Sequence, residues 1–246
     1  MKSPHLLATL SILLFAACQG PRGEPTRLQT SDVVLAEGGL DELVFDEEPG
    51  LESARRCKEK PHFGQFPDAL DVEPVPGRRR EDYLRSPFRF EDRKQGLVFT
   101  APPYDAQRPW TWNGSSIPWV FRPVTGGPKT GCHALASVFH DWSYQRADDH
   151  GYRRKQCDRM YYNGVRANGV GRVQGKLMYY ALRRFGGRNF KRSDGYVDDW
   201  SALADLPEEQ QALHLVVVRR WIEAEDPDLE WLDEVDPGGE ALSAFL

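Results

Sequence analysis

The chain has 246 residues, of which 40% are hydrophobic and 28% are charged, and its formal net charge is −5 at pH 7. This composition is that of a globular protein, and the length admits one domain with a full core, with or without substantial tails. The four cysteines exclude a scaffold that is held together mainly by disulfides.

The N-terminus predicts export. Lys2 precedes an apolar run over residues 6–15, which is too short to span a bilayer, and two alanines then lead to Cys18. The string L-F-A-A-C resembles the lipobox of bacterial lipoproteins. That resemblance implies a signal peptide over residues 1–17 and a Cys18 that carries acyl chains such as palmitate, which anchor the chain in the bacterial cell envelope. Gln19 resembles a signal for the outer membrane if the source is Gram-negative. An ordinary signal peptide followed by a chance cysteine is the alternative.

Export into an oxidising compartment permits disulfides. With Cys18 lipidated, three cysteines remain, namely Cys57, Cys132 and Cys157. We therefore expect at most one internal disulfide, whose pairing the sequence leaves open, and one remaining thiol.

Composition divides the mature chain into three parts. Residues 18–59 are predicted to be an acidic flexible tether, because residues 19–30 are rich in Pro and Gly and residues 32–52 hold eight acidic and no basic side chains. Residues 60–195 are predicted to form a helical core domain, and residues 196–246 a C-terminal acidic helical segment.

The core domain is predicted to begin with a small β-hairpin. Residues 88–90 alternate between apolar and charged side chains, residues 97–100 form a second extended segment, and residues 94–96 (KQG) supply a turn. Two turn-rich loops follow, at residues 110–121 (WTWNGSSIPWVF) and 125–131 (TGGPKTG).

Apolar residues at helical spacing then predict four helices. The first three cover about residues 133–146, 153–168 and 174–185, and the fourth begins near Pro207 with Asp205 as its N-cap. The predicted fold class is α+β and mainly α. An antiparallel helix pair lies at its core, with the hairpin before it and a C-terminal helix after it.

Charge is segregated along these helices. Between Arg153 and Arg192 every charged residue except Asp158 is basic, whereas residues 198–240 are strongly acidic. We expect the acidic segment to fold back on the basic helices, and we expect no nucleic-acid partner. A lipid headgroup or another anionic substrate at the basic face is an alternative use of the same charge.

One carboxylate stands out. Asp158 shares the apolar side of its helix with two tyrosines, and a buried carboxylate needs a partner. A short connection between the first two helices brings Asp158 within reach of His140, with Tyr144 one turn further along. If the imidazole is the partner, His140 becomes a general base, and Asp141 can hold a hard cation with loop carbonyls. The arginines that compete for Asp158 are Arg146, Arg153 and Arg154.

The string H140-D141-W142-S143-Y144 followed by Asp158 resembles the motif of secreted phospholipases A2 of the prokaryotic type. That resemblance implies that His140 is the base, Asp141 the calcium ligand, and Tyr144 with Asp158 the pair that orients His140. It also implies a phospholipid or similar anionic ester as substrate. The chain departs from that family in having Ala136, Ser137 and Ser143 where the family carries cysteine in or beside this helix. Either the loop Asn113, Gly114, Ser115 and Ser116, or residues 125–131, is predicted to supply the carbonyls.

The wider frame resembles the phage and bacterial domain of unknown function 1353. N-G-S-S-I-P at residues 113–118, the H-D-x-x-Y string, Asp158 and a basic helix ending in F-G-G follow that family's pattern. The resemblance covers about residues 85–187, has Asn113 where the family usually has Asp, and implies no activity.

A non-catalytic interpretation competes with a hydrolase. The same residues can form a structural polar network in an envelope-associated binding or structural lipoprotein. In such a module the tryptophans Trp110, Trp112 and Trp119 would be exposed and would contact a partner or a membrane interface.

Two other chemistries use neighbouring residues. Cys132 at the start of the first helix has the place of a nucleophile with a lowered pKa. A transition-metal site would use His133, His140, Asp141 and His150.

Overall fold

The computed structural model describes residues 57–114, 129–190, 192–194, 203 and 208–235. Several predictions lie outside these residues. They concern the signal peptide with Cys18, nearly all of the tether, the loop residues Ser115 and Ser116, Trp119, and the N-cap Asp205.

The predicted hairpin is part of a three-stranded antiparallel sheet. Strand β1 (Gly64–Gln65) pairs with β4 (Phe88–Asp92), which pairs with β5 (Leu97–Ala101). Two further strands, β2 (Val72–Pro74) and β3 (Asp82–Leu84), form a separate antiparallel pair. The sequence predicted β4 and β5, whereas β1 to β3 have two or three residues each and are too short for an alternating pattern to be recognised.

The turn of the hairpin is held by a buried carboxylate. Asp92 Oδ1 accepts hydrogen bonds from the backbone N–H groups of Lys94 and Gln95, at 2.9 and 3.0 Å. Asn163, on a later helix, donates to both oxygens of Asp92 at 3.0 Å. The hairpin is thereby connected to the helical layer.

The helices follow the predicted periodicity. They are α1 (Ala134–Gln145), α2 (Arg154–Ala167), α3 (Arg172–Phe185), α4 (Glu208–Glu225) and α5 (Leu229–Glu234). Glycines flank the helix pair α1 and α2. Gly131 precedes α1 with φ 80°, and Gly169 follows α2 with φ 99°. The positive φ after α2 is a backbone conformation that favours glycine at the end of a helix. The prediction of an α+β, mainly α fold with a helix pair, a hairpin before it and a C-terminal helix is confirmed.

Two groups of buried side chains form the core. One lies between the sheet and α1 and includes Phe88, Phe90, Phe99 and Phe139. The other is formed by α2, α3, α4 and α5, with Tyr179, Val218 and Leu232 at its centre. Among the residues described, no helix is long and apolar enough to cross a bilayer.

The tryptophans of the first loop belong to the core. Trp110 and Trp112 are both 3% exposed, and their indole N–H groups donate to Pro102 O and Ser137 Oγ, at 3.2 and 2.8 Å. The expectation that they form an exposed contact surface is therefore wrong, because each of these large rings fills space beneath the sheet and α1.

One disulfide joins Cys57 to Cys132 and ties the segment before β1 to the start of α1. Cys157 is a free, buried thiol, and burial raises its pKa to about 12. The expectation of one internal disulfide and one remaining thiol is confirmed. Cys132 in this disulfide cannot act as a thiolate nucleophile, so that interpretation is wrong.

The acidic C-terminal segment docks on basic helices, as its charge pattern predicted. Asp226 accepts from Arg172 and Lys176 of α3. Asp233 of α5 lies 2.7 Å from Lys155 Nζ and 3.1 Å from Arg183 Nε. These pairs place α5 against α2 and α3.

Candidate active site

Helices α1 and α2 run in opposite directions, as their contacts show. Ala136 lies against Gly164, His140 against Asp158, and Tyr144 against Arg154. A Cβ built on Gly164 would lie 2.8 Å from the Cβ of Ala136, so this glycine permits the close approach of the two helices. The helix pair therefore brings together the three residues predicted to act as base and orienting pair.

Asp158 is fully buried and accepts the hydroxyl of Tyr144 at 2.5 Å. His140 Nε2 lies 3.4 Å from the same oxygen, Oδ1. The imidazole also packs over the Tyr144 ring, with ring centroids 4.0 Å apart, and meets the edge of Tyr161 at 5.3 Å. These aromatic contacts fix the position of the imidazole beside the carboxylate.

Asp158 has arginine partners as well. Arg183 Nη1 donates to Oδ2 at 3.0 Å, and Arg154 Nε lies 3.5 Å from the same atom. Burial by itself would raise the pKa of the Asp158 carboxyl, but the His140 contact and the two guanidinium groups outweigh it and lower the pKa. The carboxylate is therefore ionised and faces both an imidazole and two fixed cations.

The structure shows which of the arginines pair with Asp158. Arg146 pairs with Asp149 at 2.6 Å, and the backbone N–H of Arg153 donates to the Gln156 side chain at 2.8 Å. Arg154 does reach Asp158, as one of the predictions had it. Arg183 was missed, because it sits in the last turn of α3, where a basic residue fits the helix dipole without any further role.

His140 is 2% exposed, and its Nε2 has no hydrogen-bond partner among the described residues. A separation of 3.4 Å is longer than an ordinary N–H···O hydrogen bond, so the imidazole and the carboxylate are in contact without being tightly bonded.

Asp141 points toward the predicted calcium loop. Its carboxylate is 3% exposed, and Oδ2 accepts the backbone N–H of Asn113 at 3.0 Å. Gly114 follows with φ 93°. The structure therefore brings Asp141 together with the first residue of the N-G-S-S segment. Within the described ranges, no group of three or more His, Cys, Asp or Glu side chains is arranged to hold a metal ion.

The proposed transition-metal set is not assembled around His150. Its Nε2 lies 2.8 Å from Ser143 O, and its Nδ1 accepts the backbone N–H of Tyr152 at 3.2 Å. With Nδ1 as acceptor, Nε2 carries the proton and donates. Both ring nitrogens are thus occupied within the fold, and that interpretation is wrong for His150.

A second layer of charge connects the site to the C-terminus. Arg183 donates to Asp158 through Nη1 and lies 3.1 Å from Asp233 through Nε. Tyr179 donates its hydroxyl to the same Asp233 oxygen at 2.8 Å, and Arg159 lies 3.2 Å from the other. The buried carboxylate of α2 and that of α5 are therefore bridged by one guanidinium.

Residues 83–182 match the family model described as "Protein of unknown function (DUF1353)". The resemblance predicted from the sequence is confirmed over this range, which includes β4, β5, α1, α2 and most of β3 and α3. The match ends one residue before Arg183, so α4, α5 and Asp233 itself lie outside it, whereas Asp233's partners Tyr179 and Arg159 lie within it.

Two curated proteins of Sinorhizobium fredii (strain NBRC 101917 / NGR234) are similar to the chain. The "Uncharacterized protein y4iH" is 25% identical over 132 residues, which are 54% of this chain and 52% of that protein. The "Uncharacterized protein y4jT" is 33% identical over 123 residues, or 50% of this chain and 32% of that protein. The chain thus spans about half, or less, of the length of these relatives. No solved structure matches the chain.

Proposed function

We propose, from the geometry of the helix pair within the region that matches the DUF1353 model, residues 83–182, that the chain is a calcium-dependent ester hydrolase similar to phospholipase A2. The substrate is a phospholipid or a similar anionic ester. His140 is the general base, Asp158 and Tyr144 orient it, and Asp141 is a ligand of the calcium ion.

One observation carries the proposal: His140 lies against a buried, ionised carboxylate that also holds a tyrosine hydroxyl. A carboxylate on one nitrogen of an imidazole directs the other nitrogen to act as the proton acceptor. The neighbouring Asp141 faces a different direction and meets the loop that begins at Asn113. Base and cation ligand are consecutive residues of α1, so both functions would be served by the same stretch of this helix.

In this reaction His140 takes a proton from a water molecule, whose oxygen forms a bond with the ester carbonyl carbon. The carbon–oxygen bond to the alcohol then breaks, and the alcohol leaves with the proton held by His140. Bound calcium would stabilise the negative charge that develops on the carbonyl oxygen. One carboxylate and loop carbonyls are oxygen ligands, which calcium prefers.

A second candidate function is supported by Arg154 and Arg183. A carboxylate whose role is to orient a histidine does not need two guanidinium partners. The pairs that Arg154 and Arg183 form with Asp158 instead fit a structural polar network that joins α1, α2 and α3. In that case the chain is a non-catalytic envelope-associated lipoprotein, and His140 is part of its packing.

Fatty-acid release from phospholipid vesicles distinguishes the two. The chain is assayed with calcium and with a chelator, beside Asp141→Asn and the control Asp149→Asn, which alters a carboxylate that pairs with Arg146. A hydrolase of the proposed kind requires calcium, loses activity in Asp141→Asn, and keeps it in the control. No release under any condition, or equal release with the chelator, contradicts the proposal and favours the structural network.

We also propose that Cys18 is lipidated and anchors the chain in the cell envelope, where an ester substrate would lie in the adjoining membrane. The supporting observation is the L-F-A-A-C string after a short apolar run. Expression of the full chain and of Cys18→Ala in a Gram-negative host tests it. The parent is expected in the membrane fraction and the variant outside it, whereas an equal distribution of both contradicts lipid anchoring.

A further inference from the structure

Arg166 is a buried cation, and no carboxylate among the described residues pairs with it. It lies in the last turn of α2, is 7% exposed, and its Nε and Nη1 make no hydrogen bond in the described part of the chain. Two buried arginines of α3 have partners within the fold. Arg183 binds two carboxylates, and Arg184 donates to the carbonyl of Val235. Leaving a buried guanidinium without an anionic partner is costly, which indicates that something is missing beside it.

Aromatic rings and a glycine surround the Arg166 side chain. Its guanidinium lies 5.1 Å from the centre of the Phe63 ring. Tyr162 lies one turn before Arg166 on α2, and its ring meets that of Phe63 edge to face, with the ring centres 6.2 Å apart. On the other side, Gly175 of α3 has no side chain. A Cβ there would lie 2.9 Å from Arg166 Cδ and 3.4 Å from Tyr162 Cε2. Helices α2 and α3 and the segment before β1 therefore meet at this arginine.

Positive charge accumulates at this point. The backbone N–H of Lys60 donates to Ala167 O at 2.7 Å, which places Lys60 beside Arg166. Burial lowers the pKa of Lys60, and the charge of Arg166 lowers it further. Burial also lowers the pKa of Arg166 itself; Tyr162 opposes this shift and Arg172 adds to it. No carboxylate of the described residues is a cause of either shift, and Asp226 pairs with Arg172.

We propose that Arg166, together with Lys60 and Tyr162, forms an anion site that binds a phosphate group. A guanidinium and an ammonium are the usual partners of phosphate, and a phenol hydroxyl adds a donor. Because several cations lie close together, a ligand with more than one negative charge, such as phosphate, fits the site better than a ligand with a single carboxylate. The group belongs either to a free phosphate compound or to the headgroup of an anionic lipid. This site does not involve His140 or Asp141, so it stands independently of the proposed hydrolysis.

Phosphate binding is measured in the full chain by isothermal titration with inorganic phosphate in a phosphate-free buffer. Arg166→Gln is compared with Arg219→Gln, which removes the same charge from an exposed pair with Glu223 on α4. Charge-assisted hydrogen bonds to a buried group predict at least about a tenfold weaker affinity for Arg166→Gln and no change for Arg219→Gln.

A second arm identifies the source of the phosphate group. Sedimentation with phosphatidylcholine vesicles, with and without phosphatidic acid, is performed for the same three proteins. Binding of inorganic phosphate that depends on Arg166 supports a free phosphate compound. Binding to the phosphatidic acid vesicles alone, again dependent on Arg166, supports a lipid headgroup. No binding in either arm, or binding that Arg166→Gln and Arg219→Gln reduce equally, overturns the proposal.

Discussion

Replacing Asp158 by asparagine tests how the site is held together. The substitution keeps the size of the side chain but removes a buried negative charge that faces Arg154, Arg183 and His140. Breaking a buried ion pair by removing one partner costs about 3 to 5 kcal/mol, because the remaining charge is left uncompensated. Arg183 retains Asp233 at 3.1 Å. We therefore expect the lower end of that range, about 3 kcal/mol.

The assay is urea-induced unfolding at neutral pH, with Asp226→Asn as the matched control. Asp226 is also paired with two basic side chains, but it is 42% exposed, and such pairs contribute about 0 to 1 kcal/mol. The pKa of Asp158 is lowered in the folded state. Its contribution is therefore present above about pH 4, the unfolded value, and is lost as the pH falls through the folded value. A cost for Asp158→Asn of less than about 1 kcal/mol, or one equal to that of the control, would refute the reasoning.

Three further outcomes follow from single features of the fold. Burial lowers the pKa of His214 to about 4. Its neutral form is therefore accommodated in the fold above about pH 6.5, and stability is lost as the pH falls toward 4. The free energy of unfolding of His214→Gln, measured across this range, should depend less on pH than that of the parent. Joint replacement of Cys57 and Cys132 by serine removes a disulfide that joins residues 75 positions apart in the sequence. The free energy of unfolding should fall by about 4 kcal/mol. A reducing agent should have the same effect on the parent. A Cβ on Gly64 would lie 2.4 Å from Glu91 O, whereas one on Gly151 meets nothing within 4 Å; thermal unfolding should therefore show a loss of stability in Gly64→Ala and little change in Gly151→Ala.

The periodic elements of this fold could be predicted from the sequence. Apolar residues at helical spacing placed α1 to α3 to within two residues. The alternation around Arg89 and the turn at Gly96 similarly predicted β4 and β5. Charge segregation predicted that the acidic C-terminal segment would dock on basic helices, and Asp226 and Asp233 do so.

The candidate site was only partly predictable. His140, Tyr144 and Asp158 could be placed together, because two helices joined by a short connection bring fixed positions into contact. The role of Arg183 could not be, since it depends on how α3 lies against α2, and this is set by packing over the whole core. Asp233 has the same limitation, because no local pattern distinguishes it from the exposed acids around it.

The solvent exposure of individual side chains could not be predicted from the sequence either. The tryptophans Trp110 and Trp112 lie in a segment with turn residues, which is typical of a surface loop, yet both are buried by the sheet and α1. Arg166 is a similar case, because it is buried although arginine is typical of exposed positions. In the sequence it is one basic residue among many, and its burial without a carboxylate appears only when α2, α3 and Phe63 are assembled.

The most direct test of the central claim is fatty-acid release in the presence of calcium by His140→Gln, measured beside the parent and His62→Gln. The control alters a histidine that is exposed and distant in sequence from the H-D-x-x-Y motif. If His140 is the general base, its replacement lowers the rate by about 10² to 10⁴-fold, and the control retains the parental rate. Equal release by His140→Gln and the parent, with both chains folded, would contradict the account.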